Sequence, residues 1–162
     1  MPNTPCSILV ATDFSATADH ALNFARRLAG VFGAEIHLVH VRILLEGRQQ
    51  NLELQRELER LDAQHDRETE EVLARRAEDS GVTVHTHLVR GLSVSECLLE
   101  TVQDLGCDLV VAGTHGRRGL RHLLLGSVAE EIVRSSAVPV MTVRESANTE
   151  ERSAGSILVS HD

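Results

Sequence analysis

Lysine does not occur in this chain of 162 residues, and all 16 of its basic residues are arginine. Because the P-loop of many nucleotide-binding proteins needs a lysine to reach the phosphates, that loop is excluded. Tryptophan and tyrosine are also absent, so no residue offers the large stacking platform that single-stranded nucleic acids require. Together with a formal net charge of -8, these absences predict that the chain has no nucleic-acid partner.

Long apolar runs are missing as well. No segment approaches the ~20 apolar residues of a membrane-spanning helix, and no basic region precedes the first apolar segment. The three cysteines, Cys6, Cys97 and Cys107, are an odd number without CxxC spacing, so we expect reduced, buried thiols. We therefore expect a cytoplasmic protein without a membrane partner, and the length suits one domain.

Short apolar runs alternate with helical patterns along the chain. The runs lie at 7–11, 36–41, 82–89, 108–112 and 138–143, and the helical patterns lie at about 16–32, 94–105 and 127–136. A long polar segment at about 47–80 predicts one or two helices, whose first half projects from the body or belongs to a mobile loop. Pro139 indicates an edge position or a strand start. The alternation predicts an α/β fold with a doubly wound parallel sheet and right-handed crossovers.

A glycine-rich loop follows the fourth apolar run. Residues 113–127 read GTHGRRGLRHLLLGS, with four glycines among basic residues before a predicted helix. Glycine lets a backbone approach a ligand closely, and the N–H groups at a helix start favour an anion. Ser127 followed by Glu130 is a capping-box pattern and predicts the helix start. We therefore expect the loop to bind the phosphates of a nucleotide through N–H groups, hydroxyls and arginine.

Polar residues follow the first apolar run at the same edge of the predicted sheet. Ligands of such sheets lie at the carboxyl ends of the strands, near the point where the strand order reverses. Thr12 and Asp13 on one side and Gly113 on the other are the natural walls of that crevice. Asp13 either accepts hydrogen bonds from a ribose or an adenine amino group, or helps to cap the next helix. His115, Arg117 and Arg118 either neutralise phosphate charge or belong to a solvated loop; these alternatives stay open.

The last residues resemble the first strand. Ser156–Asp162 (SILVSHD) matches Ser7–Asp13 (SILVATD) at five of seven positions, after a polar linker. We therefore divide the chain into a domain at 1–145 and a segment at 146–162. This segment is either the first strand of a second copy or a short strand that adds to a sheet edge.

The loop spacing Gly113-x2-Gly116-x9-Gly126-Ser127 resembles the nucleotide motif of the universal stress protein family. Thr-His-Gly within it, Ser-Val-Ala after it, SILVATDFS at the start and HLVHV at 37–41 also resemble that family, over about residues 5–144. The resemblance implies a flavodoxin-like, Rossmann-like domain with five parallel strands in the order 3-2-1-4-5. It also implies adenine-nucleotide binding and a homodimer formed through the fifth strand, at about 138–144.

The resemblance also implies roles for individual residues. Residues of the first two strands, Ala11, Thr12, Asp13 and Val41, are expected around the ribose and adenine. Ala112 and Gly113 are expected behind the ribose and phosphates, and the phosphate chain is expected against Gly116, Arg117, Gly126, Ser127 and Val128. Because every motif position is kept, we expect ATP, ADP or AMP as ligand, with Mg²⁺ or Mn²⁺ on the phosphates.

Catalysis has less support than binding in this sequence. No paired carboxylates or general base are evident beside the loop, so we expect a dimeric binding and signalling module of the stress response and no enzyme. The alternatives are a slow ATPase or phosphotransferase, and a nucleotide-free scaffold that acts through 47–80. His85 and His87 share one face of a strand, but a third ligand is not evident, so no metal site is predicted.

Overall fold

The structure is a computed structural model that describes residues 5–44, 51–78, 81–115, 125–144 and 158–160. These residues form six strands and four helices. The strands are β1 Ser7–Ala11, β2 Glu35–Ile43, β3 Val84–Gly91, β4 Leu109–Gly113, β5 Val140–Val143 and β6 Leu158–Ser160. The helices are α1 Ala16–Phe32, α2 Leu52–Ala77, α3 Val94–Asp104 and α4 Ser127–Ser135.

The sheet has the order β3-β2-β1-β4-β5-β6, and its first five strands are parallel. The chain runs outward from β1 to β3 on one side and then from β4 outward on the other. The reversal of strand order therefore lies between β1 and β4. The predicted order 3-2-1-4-5 is confirmed.

Two apolar clusters hold helices against the two faces of the sheet. On one face, α1 and Leu73 of α2 pack against residues of β1 and β2, namely Ile8, Val10, Ile36 and Leu38. On the other face, the alternate residues of the same strands pack against α3 and α4. Because the central strands are buried on both faces, they read as continuous apolar runs in the sequence.

Helix α1 begins and ends where its capping residues predict. The side chain of Ser15 accepts a hydrogen bond from the N–H of Ala18, and Gly33 follows the helix with φ of 69°. Glycine adopts this left-handed conformation without steric cost, which makes it a frequent helix terminator. Both ends lie at the predicted residues.

Helix α2 is a single helix of 26 residues, about 39 Å long at the usual rise. Asn51 caps its start by accepting from the N–H groups of Glu53 and Leu54. Residues 51–65 are exposed, as expected for a first half that extends beyond the short strands. The second half is anchored by Leu73 in the core and by the buried carboxylate of Asp66.

Asp66 ties α2 to the sheet through two arginines. Its carboxylate accepts hydrogen bonds from the guanidinium groups of Arg42 on β2 and Arg90 on β3. Burial alone raises the pKa of the Asp66 carboxyl, but the hydrogen bonds from Arg90 and Arg42 outweigh it and hold that pKa below its usual value. The carboxylate is therefore charged at neutral pH, and it fixes the position of α2.

The sixth strand lies at the edge of the sheet. Residues 158–160 pair antiparallel with β5, with Met141 opposite Val159 and Thr142 opposite Leu158. Within the structure this segment adds to the sheet edge of its own chain. It occupies the edge of β5 through which the family resemblance implies pairing with a second copy.

The cysteine prediction is partly wrong. Cys97 and Cys107 are buried free thiols, but Cys6 is exposed because it precedes β1 at the rim of the sheet. Within the described ranges, none of the helices combines the length and the apolar character needed to cross a membrane.

Candidate functional site

A cavity of about 620 Å³ lies at the carboxyl ends of β1, β2 and β4, beside the start of α4. This volume is in the usual range for a small-molecule site. Nine of the eleven predicted site residues line it: Ala11, Thr12, Asp13, Val41, Ala112, Gly113, Gly126, Ser127 and Val128. The other two, Gly116 and Arg117, lie outside the described residues, as does Arg118. The structure thus brings the described part of the predicted site together around one cavity.

The end of β1 is held by a chain of short hydrogen bonds. The N–H of Thr12 donates to the carbonyl of Val39 at 2.9 Å, and its hydroxyl accepts from the N–H of Phe14 at 3.1 Å. Asp13 lines the cavity, and its Oδ1 accepts from the N–H of Ser15 at 3.0 Å. The two roles considered for Asp13 are therefore compatible, because the bond that orders the turn before α1 also fixes the carboxylate at the cavity wall.

His40 is a cavity residue that the sequence reasoning missed. The Nδ1–H of its ring donates to the carbonyl of Thr12 at 2.8 Å, since a carbonyl can only accept. The ring also stacks on Phe14 with 4.4 Å between centroids. Phe14 has φ of 65°, a left-handed conformation that is rare for a bulky side chain. Residues in strained backbone conformations cluster at functional sites. The strained turn beside Asp13 is therefore a further indication of a functional site, and only the structure reveals it.

An apolar wall closes another part of the cavity. Val39, Val41 and Ile43 of β2 contribute to it, together with Val94 and Leu98 of α3. Only Val41 was predicted here, from the family resemblance. Strand β2 extends to Ile43, so its alternating side chains continue along the cavity beyond the predicted strand end. A wall of this kind suits the faces of a planar, weakly polar group.

The end of β4 approaches α1 too closely for a side chain. A Cβ atom at Gly113 would lie 2.8 Å from Cγ2 and 3.2 Å from the carbonyl carbon of Thr17. The next residue, Thr114, is buried, and its N–H donates to the carbonyl of Val143 at 2.9 Å. Its hydroxyl lies 3.0 Å from Nδ1 of His115, which also lines the cavity. Glycine at 113 therefore brings the β4 end against α1 and places Thr114 and His115 at the cavity.

The start of α4 differs from the predicted capping box. Gly126 is the N-cap residue, Ser127 is the first helical residue, and no side chain caps the helix. The N–H of Gly126 donates to the carbonyl of Thr114 at 2.7 Å, which closes the two ends of the glycine loop. This bond fixes Gly126 at the cap and places Ser127 one residue too far into the helix to act as the cap. Among the residues that the structure describes, no side chain at the cap position accepts from the first-turn N–H groups of α4.

An uncapped helix start at a cavity wall is a site for an anion. The first N–H groups of a helix have no partner within the helix, and the helix dipole adds a positive partial charge there. Ser127 contributes a hydroxyl at the same place, and both it and Val128 line the cavity. The cavity thus combines an apolar wall, the carboxylate of Asp13 and anion-binding donors.

Known proteins share this fold and part of this sequence. The model of the universal stress protein family matches residues 7–144. Universal stress protein MJ0531 of Methanocaldococcus jannaschii is 32% identical over 145 residues, which cover 85% of this chain and 81% of the relative. The solved structure of MJ0577, from the same organism, has a TM-score of 0.74 at 27% identity and covers 90% of this chain and 99% of its own. A universal stress protein solved in complex with cAMP shares the fold, with a TM-score of 0.64 at 19% identity over 87% of this chain and 98% of its own.

Proposed function

The chain belongs to the universal stress protein family, and from this premise we propose that its cavity binds an adenine nucleotide, with ATP as the ligand in a cytoplasmic stress response. One observation carries the proposal: the ends of β1, β2 and β4 and the start of α4, which has no side-chain cap, converge on a single cavity. The nucleoside and the phosphates of a nucleotide need different surroundings, and this cavity offers both. The complex of a family member with cAMP supports the same class of ligand.

The nucleoside end of the ligand is assigned to β1 and β2. The apolar side chains of Val41 and Ile43 contact the base, and Asp13 accepts hydrogen bonds from the ribose or the adenine amino group. The phosphates lie against α4, where N–H groups of the first turn and the Ser127 hydroxyl donate to them. With no lysine in the chain, this backbone-based recognition takes the place of a P-loop.

A divalent ion on the phosphates is compatible with the same site. Mg²⁺ is typically held by one or two carboxylates together with substrate phosphates and water. Asp13 is the carboxylate among the described cavity residues, and Ser127 adds a hydroxyl oxygen. Because Asp13 is assigned to the nucleoside, we propose that Mg²⁺ or Mn²⁺ is bound mainly by the phosphates and water, with support from the Ser127 hydroxyl.

Two measurements on the purified protein test nucleotide binding. Mass spectrometry of the denatured protein should detect a co-purified adenine nucleotide. A thermal melt of nucleotide-free protein with ATP, ADP or AMP should show stabilisation, which reaches about 2.7 kcal/mol, or about 5–11 °C, at a hundredfold excess over Kd. If none of the three nucleotides raises the melting temperature, the proposal is wrong.

A pair of glycine variants separates binding from folding. Gly126 has φ of -73° and ψ of 159°, which any residue adopts, so Gly126→Leu should fold while its side chain obstructs the loop and the start of α4. We expect it to lose the ATP-dependent shift. Gly30→Leu is the matched control, because Gly30 is exposed on α1 away from the cavity, and it should keep the full shift. Equal shifts in both variants would contradict the assigned phosphate position.

We propose that the protein binds the nucleotide without hydrolysing it. The titratable side chains among the described cavity residues are Asp13, His40 and His115. Asp13 accepts from Ser15, and His40 donates to Thr12, so both take part in ordering the turn before α1. Incubation with ATP and Mg²⁺ should therefore release no phosphate above the background of Gly126→Leu. Phosphate release that is lost in Asp13→Ala would instead support the slow ATPase or phosphotransferase.

Self-association through β5 is the remaining part of the proposal. Because β6 pairs with β5, a second copy must displace residues 158–160 before the two β5 strands can meet. Replacing Val159 by proline weakens the β6 pairing, since proline cannot donate a ladder hydrogen bond. Sedimentation should then show a larger dimer fraction for Val159→Pro than for the parent chain. A monomer in both proteins would exclude the homodimer and leave the nucleotide proposal untouched.

A further inference from the structure

Three histidines and a glutamate cluster at the amino-terminal ends of β2 and β3, away from the cavity at the carboxyl ends. In the strand register His37 lies opposite His85, and Val39 lies opposite His87. Because Ile36 and Leu38 face α1 and α2, the alternate residue His37 faces the other side of the sheet. Glu35, His85 and His87 share that side, which gathers the four side chains on one patch.

The ring nitrogens of His37 and His87 face each other. Nδ1 of His37 lies 3.0 Å from Nε2 of His87, and the two ring centroids are 5.2 Å apart. On its other side, Nε2 of His37 lies 3.7 Å from Oε1 of Glu35. Glu35 accepts a hydrogen bond from Nε2 of His85 at 3.1 Å, so one carboxylate lies beside both rings.

The proton positions follow from these distances only in part. Oε1 of Glu35, at 3.7 Å from Nε2 of His37, is at ion-pair distance and too far for a hydrogen bond. Nδ1 of His37 and Nε2 of His87 are within hydrogen-bond distance, so one of them donates a proton to the other, according to the tautomer. Carboxylates typically orient metal-binding histidines, and Glu35 lies next to the outer nitrogen of His37.

The two facing rings differ in how far they are buried. His37 is 8% exposed, whereas His87 is half-buried and His85 is exposed, so the approach is from the side of β3.

We propose that Nδ1 of His37 and Nε2 of His87 bind one divalent transition-metal ion of the Cu²⁺ or Zn²⁺ type. Two histidine nitrogens on a tetrahedral Zn²⁺ lie about 3.3 Å apart, so the observed 3.0 Å needs only a small opening. In the part of the chain that the structure describes, no three histidine, cysteine or carboxylate side chains form a group that could hold a metal ion. The site therefore has two protein ligands, and water completes the coordination.

A site with two protein ligands binds its metal exchangeably. Structural zinc sites use four protein ligands, whereas open coordination positions are typical of sites that exchange or react. Glu35 acts as a positioning residue through His37. The sequence provided only the His85-x-His87 pattern; His37, on the neighbouring strand, is the partner that the sequence could not identify.

Metal titration of the full chain tests this inference independently of nucleotide. The protein is stripped with a chelator, freed of nucleotide and titrated with Zn²⁺ and with Cu²⁺, which binds nitrogen sites most tightly among such ions. We expect one equivalent of metal whose binding is lost in His87→Gln and weakened about 10- to 100-fold in Glu35→Gln. The control His20→Gln, at an exposed histidine on α1, should bind as the parent does.

Spectroscopy and a second variant complete the test. Electron paramagnetic resonance of the Cu²⁺ form should show two coordinated nitrogens, and His85→Gln should keep one equivalent, because His85 is not a ligand. Identical isotherms for the parent and for a folded His87→Gln would overturn the inference, and so would a parent without a stoichiometric site. If His87→Gln does not fold, two other results test the inference: the number of nitrogens coordinated to Cu²⁺, and the one equivalent of metal expected for His85→Gln. Fewer than two nitrogens, or a site lost in His85→Gln, would overturn it.

Discussion

Replacing Gly113 by alanine tests how closely β4 approaches α1 beside the cavity. The new Cβ would lie 2.8 Å from Cγ2 of Thr17 and 3.2 Å from its carbonyl carbon. Cγ2 belongs to a β-branched side chain with few rotamers, and the carbonyl carbon moves only if the first turn of α1 moves. The clash therefore requires a backbone shift and cannot be relieved by a side chain alone.

The magnitude follows from two opposing contributions. Overpacking of this kind costs about 1–3 kcal/mol. Gly113 does not have positive φ, so alanine also stabilises by restricting the unfolded chain, by about 0.4–1 kcal/mol. The net expectation is a destabilisation of up to about 2.6 kcal/mol, or a fall in Tm of up to about 10 °C for a domain of this size.

Gly126→Ala is the matched control at the other end of the loop. Its Cβ would lie 3.4 Å from the carbonyl oxygen of Thr114 and 3.8 Å from Cα of His115, which is close to ordinary contact. We expect its Tm within about 2 °C of the parent. Alanine is a poorer N-cap than glycine, which destabilises the protein, but it also restricts the unfolded chain, which stabilises the protein by a similar amount. Melts followed by circular dichroism without ligand measure both variants. If the Tm of Gly113→Ala equals or exceeds that of the parent, α1 moves away from the new Cβ without loss of stability. The close approach of β4 to α1 would then not require glycine at this position.

Three further outcomes depend on the contacts of Asp66 and Ser15. Asp66→Ala should lower the free energy of unfolding by about 2–3 kcal/mol in urea titrations; this is less than a fully buried pair costs, because Arg42 keeps Asp62 at 2.7 Å. Since the folded pKa of Asp66 is depressed, its contribution is present above pH ~4 and lost as the pH falls further, so parent and Asp66→Asn should converge in stability in acid. Ser15→Ala removes the bond to the N–H of Ala18 and should cost about 0.5–2 kcal/mol by the same titration. An Asp66→Asn protein that stays less stable by a constant amount at every pH, or a Ser15→Ala protein as stable as the parent, would contradict these assignments.

The ends of an element were predicted correctly where they depend on residues within one helical turn. Helix α1 begins after Ser15 and ends before Gly33, because both capping residues act within one turn of the helix. The parallel, doubly wound sheet also followed from the alternation of strands and helices, whereas the strand order came from the family resemblance. Strand β2 was predicted to end at Val41, because Arg42 interrupts the apolar pattern that defined it. The side chain of Arg42 finds its partners on α2, which no local pattern records.

Site residues that belong to a sequence motif could be predicted. Site residues that depend on contacts between distant segments could not. The capping-box prediction for Ser127 was wrong, because the bond from Gly126 to Thr114 joins two ends of a loop that are distant in sequence. His40 and the left-handed Phe14 were missed for a related reason, since their contacts cross from β2 to the turn after β1. Pairings of this kind depend on the register between strands, which periodicity within one strand does not contain.

The absence of lysine determines how phosphate binding at the proposed site could be disrupted. In a P-loop, one side chain carries much of the interaction, and its removal weakens binding directly. In the site that we propose, the donors are backbone N–H groups of α4, which no substitution to alanine removes. Space-filling changes at Gly126 should consequently reduce nucleotide affinity more than Ser127→Ala, which deletes one hydroxyl worth about 0.5–1.5 kcal/mol, or about 2- to 13-fold in Kd. Isothermal titration of both variants measures this order, and a larger loss in Ser127→Ala would place the main phosphate interaction on a side chain.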